Sequence, residues 1–294
     1  MQNSQNDRPA PLGPLFSVGQ CATLACLLEV TAPKPGNVHR GADFDDMTFM
    51  DFVVSATAIG PMMDAAVENG VGETVLEAVR ATRQMVDVNA NLGTVLLLAP
   101  LACVPRERSL ESGVAEVLRA LTPDDARKVY EAIRLAEPGG LGEVDTMDVT
   151  DDPPSDLLAA MRASAERDMV ARQYAEDFQH VLRFAAPSLC RGTQAGWSLT
   201  ETIIHTHLQL LAQFPDSLIA RKCGPDTARE AANRAAAVLD TGEPGDEQYL
   251  QALGDLDFWL RSDGHRRNPG TTADLIAAGL FVVLRDRLIA PPFR

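Results

Sequence analysis

The largest group of chemically capable side chains lies in residues 29–46, Glu-Val-Thr-Ala-Pro-Lys-Pro-Gly-Asn-Val-His-Arg-Gly-Ala-Asp-Phe-Asp-Asp. Cationic side chains hold phosphate groups, and glycine lets a ligand approach the backbone closely. Because its prolines disfavour a helix, the stretch is expected to be an ordered turn or loop. The composition therefore predicts that Lys34, Gly36, His39 and Arg40 bind an anionic ligand.

Three aspartates close the same stretch, and they permit two interpretations. Mg²⁺ takes one or two carboxylates together with phosphate oxygens, which makes Asp45 and Asp46 candidate magnesium ligands. Alternatively, Asp43, Asp45 and Asp46 occupy the N-cap and first turn of the following helix, where acids are favoured. Residue types alone leave both interpretations open.

Polar residues also precede an apolar run in the middle of the chain. Asn89 and Asn91 come just before Gly93, and two amides facing a ligand can read the edge of a base or a ribose. Ordinary helix capping explains the same residues. Further on, the basic turn at residues 221–224 contains Lys222, which can either bind phosphate or complement the carbonyls at a helix end.

The last polar segment lies shortly before the C-terminus. Thr271 and Asp274 have the spacing of a capping box, which is the structural interpretation. The functional interpretation is that a helix N-terminus flanked by arginines binds an anion, with Asn268 and Gly270 close to it. His205 and His207 are two positions apart on a predicted helix. They therefore point in roughly opposite directions and are assigned a structural role.

The elements that position these groups are predicted to be helices. Apolar residues recur at helical spacing along most of the chain, and no alternating strand pattern or hairpin turn is evident. Residues 137–154, with Asp145 and Asp148, lack this periodicity and are either a linker or a functional loop. The pattern predicts helices at about 21–30, 47–67, 73–88, 89–101, 107–121, 123–136, 156–185, 195–213, 225–239, a stretch ending near 261, and 271–288.

The composition limits the class of protein. The chain has 294 residues, of which 46% are hydrophobic and only 5% aromatic, which favours an all-α fold of about ten helices. We expect one globular domain over residues 15–294 behind a flexible tail at 1–14, with the polar Gly/Pro loops forming the site. A net charge of -15 argues against nucleic acid or an anionic membrane as partner.

Several features indicate a cytoplasmic protein. The five scattered cysteines form no C-x-x-C pair, and no secretory signal or apolar run of membrane-spanning length is present. The expected partners are small molecules. A homodimer is compatible with the sequence.

Taken in order, these pieces resemble the triphosphoribosyl-dephospho-CoA synthase family. The resemblance rests on Glu-Val-Thr-x-Pro-Lys-Pro-Gly-x-Val-x-Arg at residues 29–40, on the acidic helix start after it, and on Asn-Pro-Gly-Thr-Thr-Ala-Asp-Leu at residues 268–275. It spans roughly residues 20–285. The segment 89–93 departs from the family pattern because it lacks a histidine and a lysine, which indicates a divergent branch.

The resemblance implies an all-α, Mg²⁺-dependent transferase. ATP would lose adenine, and its 5-triphosphoribosyl group would pass to the 2′-hydroxyl of dephospho-CoA or a related cofactor precursor. A carboxylate stabilises such an oxocarbenium-like transition state, and a second acid or base moves the proton.

The resemblance also implies roles for individual residues. Glu29 or Asp274 would be the carboxylate at the anomeric carbon or the general base. Lys34, Arg40 and Lys222 would bind phosphates, and residues 45–46 would hold Mg²⁺. Two other interpretations compete with this one: a Mg²⁺-dependent nucleotide or ADP-ribosyl hydrolase on a helical fold, and a non-catalytic helical scaffold.

Overall fold

Fourteen α-helices and one π-helical turn account for the regular structure of residues 16–137 and 154–293, the part of the chain that the computed structural model describes. The predicted tail at 1–14, and Asp145 and Asp148, lie outside these residues. The helices are α1 Val18–Thr31, α2 Phe49–Asp64, α3 Ala66–Arg83, α4 Leu92–Ala102, α5 Leu110–Arg119, α6 Pro123–Ala136, α7 Leu157–Ser164, α8 Met169–Ala175, the π-turn Val181–Ala185, α9 Ala186–Gln194, α10 Leu199–Gln213, α11 Ser217–Cys223, α12 Pro225–Leu239, α13 Glu247–Arg261 and α14 Gly270–Arg285.

Helices α4 and α14 form the centre of the molecule. Both are apolar on nearly all sides, so they are buried all round rather than along one stripe. α14 packs against α1, α4, α9 and α10, while α4 also contacts α2, α3 and α8. The helix predicted at about 89–101 is thus confirmed as α4, and it lies at the centre of the fold.

Pro100 lies inside α4, and the structure shows how the helix tolerates it. A proline has no backbone N–H, so the carbonyl four residues earlier loses its helical partner. That carbonyl belongs to Leu96, and the hydroxyl of Tyr174 donates to it at 2.7 Å. Tyr174 itself is buried. The bond therefore attaches α8 to the centre of the fold.

A second group of buried side chains lies between α10, α11, α12 and α13, with Leu208, Ile219, Tyr249 and Leu260 among its members. α10 connects it to the main core, since α10 contacts both α12 and α14. The fold is all-α, as predicted. Among the described residues His39 and Ala42 make only an isolated β-bridge, and no strand is present.

The helix predicted at 156–185 is wrong. Asp168 ends its first part by capping α8, accepting from the backbone N–H groups of Val170 and Ala171. Asp177 and Phe178 then have φ angles of 50° and 61°, in the left-handed region that no α-helix contains. Because this region is divided and residues 217–223 form a helix rather than a turn, the described residues contain more than the ten helices expected.

The two histidines of α10 do not share a site. Nδ1 of His205 is 3.1 Å from the hydroxyl of Tyr249, and its ring meets the edge of Trp197. His207 is fully buried, and burial together with the Lys34 ammonium holds its pKa well below the ordinary value.

The five cysteines are free. Within residues 16–137 and 154–293, none of the helices has the length and apolar character needed to cross a bilayer.

Asp216 joins the N-termini of α11 and α14. Its buried carboxylate accepts four hydrogen bonds, from the N–H groups of Leu218 and Ile219 and from the N–H and hydroxyl of Thr272, all at 2.7–3.0 Å. Next to it, Ser217 donates its hydroxyl to Thr271. The junction fixes where the first turn of α14 lies.

We therefore expect Asp216→Ala to lower the free energy of unfolding by about 2–4 kcal/mol, because it leaves several buried donors without an acceptor. Urea denaturation followed by circular dichroism measures the change. The control is Asp226→Ala, since Asp226 is an exposed first-turn acid of α12, and its loss should change stability by no more than about 0.5 kcal/mol. Equal effects of the two variants would contradict the assigned role of Asp216.

Candidate active site

A cavity of about 550 Å³ lies where the first polar loop meets the N-terminal ends of α4 and α14. Its floor contains Glu29 from α1, Gly93 from α4 and Asp274 from α14. The walls come from α6, α7, α8 and α11. The polar segments at residues 29–46, 89–93, 221–222 and 268–274 are far apart in the sequence, and the fold brings all four to this one place.

Ten of the residues predicted for the site line the cavity. Those from the first half of the chain are Glu29, Asp46, Asn89, Asn91 and Gly93. Those from the second half are Lys222, Asn268, Gly270, Thr271 and Asp274. Five predicted residues do not line it: Lys34, Gly36, His39, Arg40 and Asp45.

Lys34 lies behind the cavity wall rather than in it. Its side chain is fully buried, and its ammonium is 2.8 Å from a carboxylate oxygen of Glu29. The same ammonium donates to the backbone carbonyls of Glu29 at 2.5 Å and Ala32 at 3.3 Å. In this arrangement Lys34 pairs with Glu29, and it is not among the residues that line the cavity.

Gly36 serves the packing of the loop. Its φ of 77° is in the region that favours glycine, and its N–H donates to Asp257 of α13 at 2.7 Å. An added Cβ would be 2.9 Å from Leu260 and from Pro269. The glycine thus allows the first loop to lie against α13 and against the segment that leads into α14.

The residues after Gly36 form the rim. His39 is half-buried and its Nδ1 accepts from the N–H of Gly41, whereas Arg40 and Asp45 are exposed. Asp46 does reach the cavity, and its carboxylate is 3.4 Å from Nε2 of His265. Neither Asp45 nor Asp46 caps α2, because Thr48 and Asp51 form that capping box.

Asp274 is the most perturbed acid of the cavity. Burial raises its pKa to about 8, and the negative charges of Glu29, Asp216 and Asp168 act in the same direction. The Thr94 hydroxyl donates to its carboxyl at 2.6 Å, which opposes the shift only in part. No described residue forms an ion pair with Asp274. The acid is therefore protonated near neutral pH.

The position of the Asp274 carboxyl requires a glycine at residue 93. A Cβ on Gly93 would be 2.1 Å from an oxygen of Asp274, so α4 and α14 approach each other more closely than any side chain at this position allows. The capping box predicted for Thr271 and Asp274 is wrong. α14 begins at Gly270 behind Pro269, and it has no side-chain cap.

The start of α4 presents free donors to the cavity. The Oδ1 of Asn89 accepts from the N–H of Leu92, while Asn91 donates to the hydroxyl of Thr82. The Asn91 side chain therefore does not cap the helix. The next N–H groups, of Gly93 and Thr94, have no acceptor among the described residues. A helix N-terminus with open N–H groups is a natural anion site.

Sequence reasoning underestimated three arginines of the cavity lining: Arg83, Arg167 and Arg221. Arg167 stands next to Asp168 in the sequence, but the two do not form an ion pair in the structure. Instead Asp168 pairs with Arg221 at 3.0 Å, which leaves Arg167 with only a long contact to Ser164. The capping position of Asp168 was the signal, because a carboxylate that caps a helix is turned away from its neighbour in the chain.

One limb of the cavity is apolar. It is formed by Ile133 of α6, Leu157 and Met161 of α7, and Val170 of α8, with Leu96 of α4 behind them. The opposite end, at the first loop and the start of α14, is polar: Asn37 donates to Asn268 at 2.6 Å there. The cavity therefore has one apolar and one polar end, with the two acids between them.

The donor set fits a magnesium ion only in a limited way. No group of three or more histidine, cysteine or acidic side chains within residues 16–137 and 154–293 is arranged to enclose a metal. Mg²⁺ does not require such a group, since it binds through one or two carboxylates and substrate phosphates. The largely exposed carboxylate of Asp46 at the cavity edge can supply one such ligand.

Comparisons with known proteins agree on one family. The family model described as CitG, ATP:dephospho-CoA triphosphoribosyl transferase, matches residues 16–292. The chain is 26% identical over 268 residues to an Azotobacter vinelandii protein named "Probable 2-(5''-triphosphoribosyl)-3'-dephosphocoenzyme-A synthase", covering 89% of this chain and 88% of that protein. A crystal structure of a "putative triphosphoribosyl-dephospho-coA synthase" from Archaeoglobus fulgidus matches with a TM-score of 0.61 and 25% identity, covering 82% of this chain and 99% of that one.

The protonated state of Asp274 has a measurable consequence for stability. Its folded pKa of about 8 lies above the ordinary value near 4, so between these values the folded state holds a proton that the unfolded state has lost. The contribution of Asp274 to the free energy of unfolding therefore falls as pH rises from about 4 to 8, by at most about 1.4 kcal/mol per pH unit.

Asp274→Asn should remove this dependence and make the protein more stable than the wild type at pH 8. Urea denaturation at pH 5, 6, 7 and 8 tests the expectation. The matched control is Asp255→Asn, because Asp255 is exposed on α13 and its loss should leave the pH dependence unchanged. If the free energy of unfolding of the wild type changed with pH in the same way as that of Asp274→Asn, the result would contradict a protonated Asp274.

Proposed function

The chain belongs to the ATP:dephospho-CoA triphosphoribosyl transferase family, and from that premise we propose how its cavity performs the transfer. The supporting observation is the pair of acids on the cavity floor: Glu29 forms an ion pair with Lys34 at 2.8 Å, whereas Asp274 is bonded to the neutral Thr94 hydroxyl and has a raised pKa. The glycosidic bond between ribose C1′ and adenine N9 breaks, and its electron pair leaves with adenine. The acceptor hydroxyl oxygen forms the new bond to C1′ and loses its proton.

Asp274 is the general acid of this proposal. Adenine leaves more readily when it is protonated, and a carboxyl whose pKa is about 8 still carries its proton at neutral pH. The short bond from the Thr94 hydroxyl fixes the carboxyl against the start of α4. Activity that depends on this proton is lost as pH rises through about 8.

Glu29 is the ionised partner. Its side chain lines the cavity and is paired with Lys34 at 2.8 Å. A carboxylate stabilises the positive charge that develops on the ribose ring and accepts the proton of the attacking hydroxyl. After the transfer Asp274 has lost a proton and Glu29 has gained one, so a proton exchange between the two acids or with water restores the starting state.

The triphosphate would lie against donors of the lining that have neither a backbone acceptor nor an ion pair among the described residues. These donors are the N–H groups of Gly93 and Thr94, the side chain of Arg167 and the ammonium of Lys222. Neither cation forms an ion pair with another described residue, so both are available to phosphate oxygens. Binding of the anionic ligand by His39 and Arg40 stays a prediction. Both residues lie at the rim, so they would contact the ligand there.

Mg²⁺, when bound, would neutralise part of the triphosphate charge, and Asp46 is the carboxylate placed to hold it. Asp45, by contrast, lies outside the cavity lining. The apolar limb between α6, α7 and α8 suits the acceptor, because dephospho-CoA carries a long and largely uncharged pantetheine arm. A homodimer and a cytoplasmic location remain predictions that size-exclusion chromatography and cell fractionation can test.

The first test is product analysis. Incubation with ATP, Mg²⁺ and dephospho-CoA should release adenine, measured by liquid chromatography, in equal amount to the triphosphoribosylated acceptor identified by mass spectrometry. Glu29→Gln and Asp274→Asn should each lower kcat about 10²- to 10⁴-fold, whereas Asp255→Asn should not. Release of ADP or AMP instead of adenine contradicts the proposal, and adenine release that needs no acceptor would indicate a hydrolase.

The second test separates the two aspartates of the rim. Asp46→Asn should raise the Mg²⁺ concentration needed for half-maximal rate by about tenfold, because the metal loses a protein ligand. Asp45→Asn is the matched control, being the adjacent residue with the same change of charge. If both variants raised the required Mg²⁺ concentration equally, the effect would come from the general negative charge of the rim and not from a metal ligand at Asp46.

A further inference from the structure

The buried ammonium of Lys34 is committed to three acceptors. They are the carboxylate of Glu29 at 2.8 Å and the backbone carbonyls of Glu29 at 2.5 Å and Ala32 at 3.3 Å. An ammonium has three N–H donors, so all of them are used. Its side chain is fully buried, and it does not line the cavity. Lys34 therefore contacts the cavity residue Glu29 from outside the lining.

The local sequence explains why the lysine folds back onto α1. The helix ends at Thr31, and its last carbonyls have no helical partner. Pro33 and Pro35 keep the following chain out of the helix, and the N–H of Lys34 donates to the carbonyl of Ala32 at 2.7 Å. A cation at this helix end also interacts favourably with the helix dipole.

Among the described residues, Lys34 is the one cation that forms an ion pair with Glu29. On the α10 side Lys34 faces His207, whose buried ring is neutral because its pKa is well below the ordinary value. Cys26, one turn earlier on α1, is also neutral, since burial and the charges of Glu29 and Asp274 raise the pKa of its thiol. Across the cavity floor lies Asp274, whose charged neighbours are the acids Glu29, Asp216 and Asp168.

The two acids of the floor thus have unequal environments. Glu29 has a buried cation in direct contact, whereas Asp274 has one neutral donor, the Thr94 hydroxyl, and only acids as charged neighbours. When two carboxyls interact inside a protein, their environments decide which one is ionised. Here burial disfavours the charge of Asp274, and the contact with Lys34 favours the charge of Glu29.

We propose that Lys34 is a positioning residue that keeps Glu29 ionised and so directs the shared proton to Asp274. This inference rests on the acid and base roles proposed above. It replaces the expectation that Lys34 binds phosphate. Without the charge of Lys34, the proton is shared by both acids, and the enzyme loses a defined acid and a defined base although both side chains remain.

The direct test is spectroscopic and needs no activity. Difference infrared spectroscopy detects the C=O stretch of a protonated carboxyl. In the wild-type background at pH 6.5, well below the pKa of about 8 of Asp274, its carboxyl is protonated, and Asp274→Asn should abolish a signal that Glu29→Gln leaves intact. In the Lys34→Gln background, each of the two substitutions should remove only part of the signal. A signal that still disappears with Asp274→Asn alone overturns the proposal.

Kinetics separate the positioning role from a phosphate-binding role. Lys34→Gln should lower kcat about 100-fold or more and shift the acid limb of the pH–rate profile to higher pH, with KM for ATP changed by less than about threefold. Lys222→Gln is the control, because its ammonium faces the cavity and its loss should raise KM instead. A raised KM for ATP with an unchanged kcat in Lys34→Gln would overturn the positioning role and support phosphate binding.

Glutamine at this position keeps N–H donors for the carbonyls of Glu29 and Ala32 and removes only the charge. If Lys34→Gln does not fold, Lys34→Met combined with Glu29→Gln replaces the buried pair by neutral groups, and Asp274 should then retain the full infrared signal. A reduced signal in that variant would overturn the proposal. Absence of adenine release by the wild type would refute the transferase mechanism. The infrared test would still show whether Lys34 determines which acid carries the proton.

Discussion

The close approach of α4 and α14 is the constraint on which the site depends. Gly93 leaves no space for a side chain because the carboxyl of Asp274 occupies it. Two helices meeting at their N-terminal ends leave backbone donors without partners among the described residues, and these donors face the cavity. The same packing desolvates Asp274 and raises its pKa. An anion site and a proton donor thus arise from one packing contact.

This arrangement lowers stability locally, and the rest of the fold compensates for it. A carboxyl kept protonated near pH 7 and helix ends left uncapped are each unfavourable in the absence of ligand. They are held by the four hydrogen bonds of Asp216 at the start of α14 and by the Tyr174 hydroxyl on the Leu96 carbonyl of α4. Both supports lie outside the floor of the cavity, so the floor can be optimised for chemistry.

Much of the fold could be predicted from the sequence, because local signals determine it. Thr122 and Asp125 form the expected N-terminus of α6, and α12 begins and ends where its periodicity does. The break of the helix expected at 156–185 was not predictable in this way. Its apolar spacing continues past Asp177 and Phe178, whose left-handed backbone depends on contacts with distant elements.

The site could be predicted only as a set of segments. Residue types identified the acids, glycines and asparagines that meet at the cavity, since catalysis and ligand binding need those types. Residue types do not show burial, however. Lys34 has the chemistry of a phosphate ligand, yet the loop turns it inward onto Glu29, while Arg167 has no ion pair among the described residues because Asp168 pairs with Arg221.

The pairing of charges also explains how a chain of net charge -15 can accept a triphosphate. Within the cavity, the charge of Glu29 is matched by Lys34 and that of Asp168 by Arg221, while Asp274 is uncharged near neutral pH. Asp46 and Asp87 are exposed at the rim, where water screens them. The groups left to act on a ligand are Arg167, Lys222 and the open N–H groups of α4. Bulk charge describes the outer surface, whereas the affinity of the site for anions is set by which acids are already paired or protonated.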